Sequence, residues 1–121
     1  MKNLEQIRAS SAWSAAQSNA SFKGKEEGGN VAKTLPPLIM NHGLLQALAY
    51  ATEKRGQDYR NQAENSIFGF LASHLSERGI VHNCHDADSL LATLAEANSS
   101  VLRLATAEAL AWLTYARRFI Q

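Results

Sequence analysis

The chain has 121 residues, of which 45% are hydrophobic and 19% charged, and its formal net charge is +1. This length and apolar content predict one domain with one core, and the near-zero charge excludes a protein that binds nucleic acid through bulk charge alone. One cysteine excludes an internal disulfide framework, and no apolar run approaches the roughly 20 residues of a membrane span. The N-terminal residues lack the apolar core of a secretory signal, so we expect a soluble, cytoplasmic protein.

Residue usage predicts an all-α fold, a compact bundle of about five to six helices within a single domain over residues 1–121. Alanine and leucine, which favour helices, far outnumber valine and isoleucine, and aromatic residues make up only 7%. No segment alternates cleanly between flanking hairpin turns. The first helix is predicted from Asn3, a plausible N-cap, to about Ala20, with a thin apolar face diluted by serines.

The next segments predict a flexible loop and a sharp corner. Residues 21–30 carry three glycines and mixed charge, which is typical of a mobile loop. A short helix is expected to begin at Pro36, because proline is tolerated in a first turn, and to stop at Gly43. A third helix with an apolar face then follows and ends near Gly56.

Three further helices are predicted in the second half of the chain. Apolar residues spaced by three or four predict a helix over residues 57–78 that Gly79 stops. Asp86 or Asp88 is expected to cap a short helix, and Asn98 or Ser99 to cap a last helix over about residues 100–119. This last helix has an unbroken apolar stripe and should be the central member of the core.

Two motifs in this order carry a resemblance to a known family. The first is LPPLIMNHGLLQALAY over residues 35–50, and the second is RLATAEALAWLTYARRF over residues 103–119. Together with LEQIR at residues 4–8, they resemble the small helical subunit of the type III-B CRISPR effector, the Cmr complex. His42 and Leu45 depart from that family's usual pattern, and both lie at the predicted corner.

The resemblance implies a subunit that is not an enzyme, needs no cofactor and takes part in antiviral defence. It implies several copies stacked along the inner face of the ribonucleoprotein, beside the repeated backbone subunit that holds the guide RNA. Such a subunit would line the path of the target RNA, contact the guide RNA only indirectly and have no membrane partner.

Basic residues are the candidates for contact with RNA, because lysine and arginine neutralise phosphates without reading sequence. The candidates are Lys33, Lys54, Arg55, Arg103, Arg117 and Arg118, with Lys23 and Lys25 in the predicted loop. Arg103 and Arg117 should project from similar sides of the last helix, about 21 Å apart. The alternative for each is a solvated surface charge, and for the last pair also a favourable place at the helix C-terminus.

Other polar and aromatic residues have structural interpretations as well as functional ones. Glu108 is expected to be partly buried near Trp112 and to meet a backbone amide or a basic side chain of a neighbouring helix. Trp112 should be buried, whereas Trp13 is the better candidate for an exposed contact. Asn41 and His42 are expected to cap helix ends rather than face RNA.

Two other functions compete with the assembly subunit. One is an unrelated helix-turn-helix regulator of DNA that uses the Gly43 corner, although the helix after the corner has few polar side chains for base edges. The other is a small metal-dependent enzyme built on His82, Cys84 and His85. Structural zinc sites usually draw ligands from two separated pairs, so we expect no metal here, and no third group orients a cysteine nucleophile.

Overall fold

The computed structural model describes residues 3–18 and 26–119, with the side chains of residues 3–17 and 32–119. Within these residues the chain forms six helices and one two-stranded hairpin, which confirms the predicted helical fold. The elements are α1 (Leu4–Ser18), α2 (Glu26–His42), α3 (Leu44–Ala51), β1 (Lys54–Arg55), β2 (Asp58–Tyr59), α4 (Gln62–Glu77), α5 (Ala87–Glu96) and α6 (Ser99–Phe119). None of the described helices is both long enough and apolar enough to cross a membrane.

Helix α1 begins where its sequence predicts. The side chain of Asn3 accepts a hydrogen bond from the Gln6 backbone N–H at 2.9 Å, and the Gln6 side chain accepts one from the Asn3 N–H. This reciprocal pair satisfies two backbone donors that a helix start otherwise leaves without partners. The buried face of α1 consists of the small side chains of Ala12, Ala15 and Ala16, and hydrogen bonds from Arg8 and to Ser11 also join it to α6.

Helix α2 corrects the expectation that a short helix begins at Pro36. It begins at Glu26, so residues 26–30 of the predicted loop are helical, whereas residues 21–25 lie outside the described residues. Both prolines are inside the helix, where each removes a backbone donor. Burial of Ala32, Leu35 and Ile39 on one face outweighs this loss, because tertiary packing overrides local propensity.

The corner between α2 and α3 is formed by Gly43, as predicted. Its φ is +91°, a value that side chains rarely adopt, and its N–H donates to the carbonyl of Ile39. No side chain caps the start of α3, so the structure does not show Asn41 or His42 as a cap of that helix. Both residues are exposed at the end of α2.

A small hairpin replaces the helical structure predicted up to Gly56 and from residue 57. Lys54 pairs with Tyr59 and Arg55 with Asp58, so the turn consists of two residues. Its first residue is Gly56, with φ +68°, which fits the positive φ that tight hairpin turns require. Helix α3 therefore ends at Ala51 and α4 begins only at Gln62.

The end of α4 and the start of α6 lie where the sequence predicts them. Gly79 terminates α4 with φ +75°; its N–H donates to the carbonyl of Ser76, and the N–H of Ile80 donates to that of Leu75. This is the Schellman arrangement that glycine favours. Asn98 caps α6, because its side-chain oxygen accepts from the N–H of Val101 at 3.0 Å.

Asp86, rather than Asp88, caps α5, and its substitution tests the capping energy. The Asp86 carboxylate accepts from the Ser89 N–H at 2.7 Å, and this bond holds the pKa of Asp86 below its usual value. Asp86→Ala should lower the free energy of unfolding by about 1 kcal/mol in urea titrations, because the Ser89 N–H loses its acceptor. Asp86→Asn, which can still accept this bond, should cost clearly less; equal losses would contradict the capping role.

The buried apolar side chains form one cluster. Helix α6 packs against α1, α2 and α4, and α4 also packs against α2, α3 and α5. The predicted central helix therefore shares the centre of the bundle with α4. Trp112 is the largest fully buried side chain, and Phe68 of α4 is next in size.

Candidate nucleic-acid interface

One face of α6 presents cations at both ends and small or apolar side chains between them. Arg103, Ala107, Leu110, Thr114 and Arg117 follow one another at steps of four and three residues, which places them on the same side of the helix. We call this the 103–117 face. Helix α2 runs antiparallel beside it, since Lys33 lies near Arg117 and His42 near Arg103.

The C-terminal end of the 103–117 face is a basic groove of about 350 Å³, lined by Lys33, Thr114, Arg117 and Arg118. All four residues are exposed, and three of them are cationic. Among the described side chains, no carboxylate lies within ion-pair distance of these three. Within the described residues the positive charge of the groove is therefore not compensated, and the groove favours an anion such as phosphate.

The N-terminal end of the face is different. Here a groove of about 550 Å³ lies between the α2–α3 corner and the first half of α6, and most of its lining residues are apolar. Its walls are His42, Gly43, Leu44, Leu45, Leu102, Arg103, Thr106, Ala107 and Leu110. The Thr106 hydroxyl donates to the carbonyl of Leu102, so it offers its proton within its own helix.

The structure brings together four of the six candidate residues for RNA contact and separates the other two. Lys33, Arg117 and Arg118 share the basic groove, and Arg103 lies at the far end of the same face. Lys54 and Arg55 instead lie exposed on β1. The Lys54 ammonium is 5.2 Å from the centre of the Tyr59 ring, and the Tyr59 hydroxyl donates to Asp88. Lys23 and Lys25 lie outside the described residues.

A buried ionic cluster joins α1, α4 and α6. The guanidinium of Arg8 donates to both carboxylate oxygens of Glu108, at 2.8 and 2.9 Å, and Nε2 of His74 lies 2.8 Å from the same carboxylate. The side chains of Glu108 and His74 are 4% and 0% exposed. Of the two kinds of partner predicted for Glu108, a backbone amide or a basic side chain of a neighbouring helix, the structure shows the basic side chain.

Charge and burial perturb all three groups in this cluster. The hydrogen bond from Arg8 is the main cause that lowers the pKa of Glu108 from 4.5 to about 2. Burial lowers the pKa of His74, although Glu108 opposes this effect. The hydrogen bond to Glu108 raises the pKa of Arg8. A neutral His74 that donates from Nε2 stabilises the Glu108 carboxylate without adding a second buried charge.

Sequence reasoning missed the role of His74, although a signal was present. His74 follows Ile67 and Leu71 at the spacing of the buried face of α4, so a polar side chain there needs a buried partner. The sequence alone does not identify that partner, because Glu108 lies on another helix. The ring of His74 also stacks on Trp112, with 6.1 Å between the ring centres.

The two tryptophans occupy the environments that their sequence positions predicted. Trp112 is fully buried, and its Nε1 donates to the hydroxyl of Ser11 at 3.1 Å. Trp13 is 51% exposed and packs edge-on against Phe119, with ring centres 5.2 Å apart. Its contact with a neighbouring subunit stays a prediction.

The candidate ligands in the connector between α4 and α5 have separate structural partners. Cys84 is buried, with Sγ 3.3 Å from the Thr93 hydroxyl, and its backbone N–H donates to the hydroxyl of Ser76. His85 lies on the surface with Nδ1 3.3 Å from the Ser73 hydroxyl. In the part of the chain that the structure describes, no three potential ligands gather into a metal-binding group.

Helix α3 lacks the features of a DNA recognition helix. It contains no lysine or arginine, and four of its residues are buried in the core: Leu44, Ala47, Leu48 and Ala51. Its exposed positions are occupied by Gln46, Ala49 and Tyr50. The geometry of the corner therefore does not favour the helix-turn-helix alternative.

Comparison with known proteins identifies a family and similar solved structures. A sequence model of the family described as CRISPR-associated protein (Cas_Cmr5) matches residues 4–121. A similar solved structure is the crystal structure of a CRISPR-associated Cmr5 family protein from Thermus thermophilus, with a TM-score of 0.77 and 26% sequence identity. That similarity covers 99% of this chain and 96% of the other. No curated protein sequence matches this chain.

Proposed function

This chain belongs to the Cas_Cmr5 family of CRISPR-associated proteins, and from that membership we propose that it is a structural subunit of a type III-B Cmr ribonucleoprotein. In this proposal it acts in antiviral defence in the cytoplasm without catalysing a reaction. Several copies stack along the inner face of the complex beside the subunit that holds the guide RNA, and each contacts the backbone of the target RNA.

The observation that carries the RNA contact is the basic groove. Lys33 comes from α2, and Arg117 and Arg118 come from the last turn of α6, yet all three line one depression of about 350 Å³. The attraction of cations to the C-terminus of α6 would explain the places of Arg117 and Arg118. It would not explain Lys33, which comes from α2. Three cations at one place, with no ion pair to any described carboxylate, match a run of phosphates, and such contacts form without regard to sequence.

The near-neutral charge of the chain sets the strength of this contact. With a net charge of +1, one copy should bind RNA weakly, and linked copies in an assembly should bind much more tightly through avidity. Arg103 lies about 21 Å from Arg117 along α6 and outside the basic groove, so the RNA contact of one copy rests on the three cations of that groove. Tight binding by the free chain that ignores salt would contradict this proposal.

Charge reversal tests the basic groove. We expect Arg117→Glu/Arg118→Glu to weaken binding to a labelled single-stranded RNA by about tenfold or more, because two phosphate contacts become repulsive. The slope of the logarithm of affinity against the logarithm of salt concentration should also fall by about 1.4, since each contact to single-stranded RNA contributes about 0.7. Fluorescence anisotropy over a salt series measures both quantities.

The hairpin provides a matched control for this experiment. Lys54→Glu/Arg55→Glu changes the net charge by the same amount on a separate, exposed element. This variant should leave the affinity for RNA, and the slope of that affinity against salt concentration, close to the wild-type values. Equal losses in the two variants would mean that general charge, rather than the groove, attracts RNA.

The assembly itself requires a direct measurement. Native mass spectrometry of the tagged chain, co-expressed with the other Cmr subunits and guide RNA, should find several copies in one ribonucleoprotein. If the chain stays a free monomer while the other subunits assemble, the proposed function is wrong.

A further inference from the structure

We propose that the apolar groove between the α2–α3 corner and α6 is a protein-docking site, and that it holds an amphipathic helix of a subunit other than a second copy of this chain, with a carboxylate beside Arg103. This inference rests on the proposed function and adds to it a second binding surface, distinct from the basic groove. The groove is lined by Leu44, Leu45, Leu102 and Leu110, with Ala107 and Gly43 as its small residues.

The shape of the groove fits a helix. Its α6 wall extends from Leu102 to Leu110, which is about 12 Å along the helix axis, or slightly more than two turns. A helix laid against it would present apolar side chains at positions i, i+3 or i+4, and i+7 over nearly the same length. At about 550 Å³, the depression can receive several such side chains, and the small residues Gly43 and Ala107 leave it open.

The charge at the edge of the groove specifies a further feature of the occupant. Arg103 is exposed, and no described carboxylate lies within ion-pair distance of it. Seating an apolar segment beside this guanidinium would partly desolvate it, and a charge that loses water needs a partner. A glutamate or aspartate on the docking helix provides that partner with a charge-assisted hydrogen bond.

The same lining disfavours RNA as the occupant. Single-stranded nucleic acid is usually held by stacking of bases on aromatic side chains and by hydrogen bonds to base edges. The described residues that line this groove include no aromatic ring apart from that of His42, and the Thr106 hydroxyl already donates within α6. The two ends of the 103–117 face therefore serve different partners: the apolar end binds protein and the basic end binds phosphate.

Ala107→Glu tests the docking site without disturbing the core. Ala107 is exposed on α6 and lines the groove, so a glutamate there places a charge inside it and, four residues after Arg103, can pair with that arginine. The matched control is Ala95→Glu, the same substitution at an exposed position of α5. Both variants should melt close to wild type, because neither position is buried.

We expect Ala107→Glu to reduce incorporation into the co-expressed Cmr complex at least about tenfold by native mass spectrometry, because an apolar interface would bury a charge. Ala95→Glu should enter the complex as wild type does. Equal incorporation of Ala107→Glu and wild type would overturn the docking site and leave the proposed function intact. Failure of the wild-type chain to enter the complex would overturn both.

A photo-crosslinker identifies the occupant. p-Benzoylphenylalanine at position 107 in the assembled complex should form a covalent adduct with a helical segment of a different subunit that carries an acidic residue, and the same group at position 95 should not form that adduct. An adduct formed only with RNA, or only with a second copy of this chain, would overturn the proposed occupant.

Discussion

Glu108→Ala should lower the free energy of unfolding by about 3–5 kcal/mol, one of the two largest effects expected of a single substitution in this chain. The carboxylate holds Arg8 through two hydrogen bonds and His74 through a third, and its side chain is 4% exposed. Its removal leaves a cation and an imidazole donor without their acceptor, and breaking a buried pair from one side usually costs this much. Urea denaturation at neutral pH measures the loss.

Variants of the two partners show whether Glu108 is the centre of the cluster. Arg8→Ala should cost less than Glu108→Ala, because the Arg8 side chain is 25% exposed and Glu108 keeps its bond to His74. Glu108→Gln keeps the volume and one acceptor oxygen, so its cost should also be smaller. If Glu108→Ala is as stable as wild type, the cluster contributes to specificity of packing but not to stability.

The pH dependence of stability provides an independent check on the same cluster. Glu108 has its pKa lowered from 4.5 to about 2 in the folded chain, so between these values the unfolded chain binds more protons and acid destabilises the fold. His74 has a pKa lowered from 6.5 and acts in the same direction, since below 6.5 the unfolded chain again binds more protons. Stability should therefore fall as pH drops below about 6.5, and fall further below 4.5. Glu108→Gln should remove much of the second decrease.

Trp112→Ala should have an effect of similar size, about 3–5 kcal/mol, because it leaves a large cavity at the centre of the bundle. Trp112 is fully buried, stacks on His74 and donates to Ser11. The surrounding helices α1, α4 and α6 cannot all move in to fill the space without losing other contacts. Thermal and urea denaturation followed by circular dichroism measure the effect.

Trp13→Ala is the matched control, since it removes the same side chain from a position that is 51% exposed. Its cost should stay below about 1.5 kcal/mol, the range of an aromatic pair such as Trp13 with Phe119. Trp112→Phe keeps much of the volume and loses the hydrogen bond to Ser11. Its cost in unfolding free energy should therefore lie between those of Trp112→Ala and Trp13→Ala. Equal costs at positions 13 and 112 would contradict the central role of Trp112.

Glu108 and Trp112 both make contacts that attach α1 to the rest of the bundle. Helix α1 buries mainly alanines, and its larger contacts with α6 come from Arg8, Ser11 and Trp13. Tyr115 adds a hydrogen bond to Glu5 at 3.1 Å. Destabilising Glu108 or Trp112 should therefore release α1 more readily than the other helices. Hydrogen exchange of α1 amides in the two variants should show faster exchange there than in α4.

Local sequence patterns were enough to establish the helical fold and several helix ends. Asn3, Asp86, Asn98 and Gly79 act within three or four residues of their own positions, so short patterns are sufficient to identify them. The apolar stripe of α6 likewise predicted the burial of Trp112, and the cost of an unpaired carboxylate predicted that Glu108 has a partner, either a backbone amide or a basic side chain. Two motifs were also enough to indicate the Cas_Cmr5 family.

Long-range packing, in contrast, determines where helices continue against local rules and which distant residues meet. Helix α2 extends through Pro36 and Pro37 because its buried face packs on the core, and this energy is absent from the local sequence. Arg8 meets Glu108 across 100 residues, and Lys33 joins Arg117 only because α2 lies antiparallel to α6. Periodicity shows which residues share a face of one helix. Which faces meet depends on the packing of the whole core, and so do the buried cluster, the basic groove and the apolar groove.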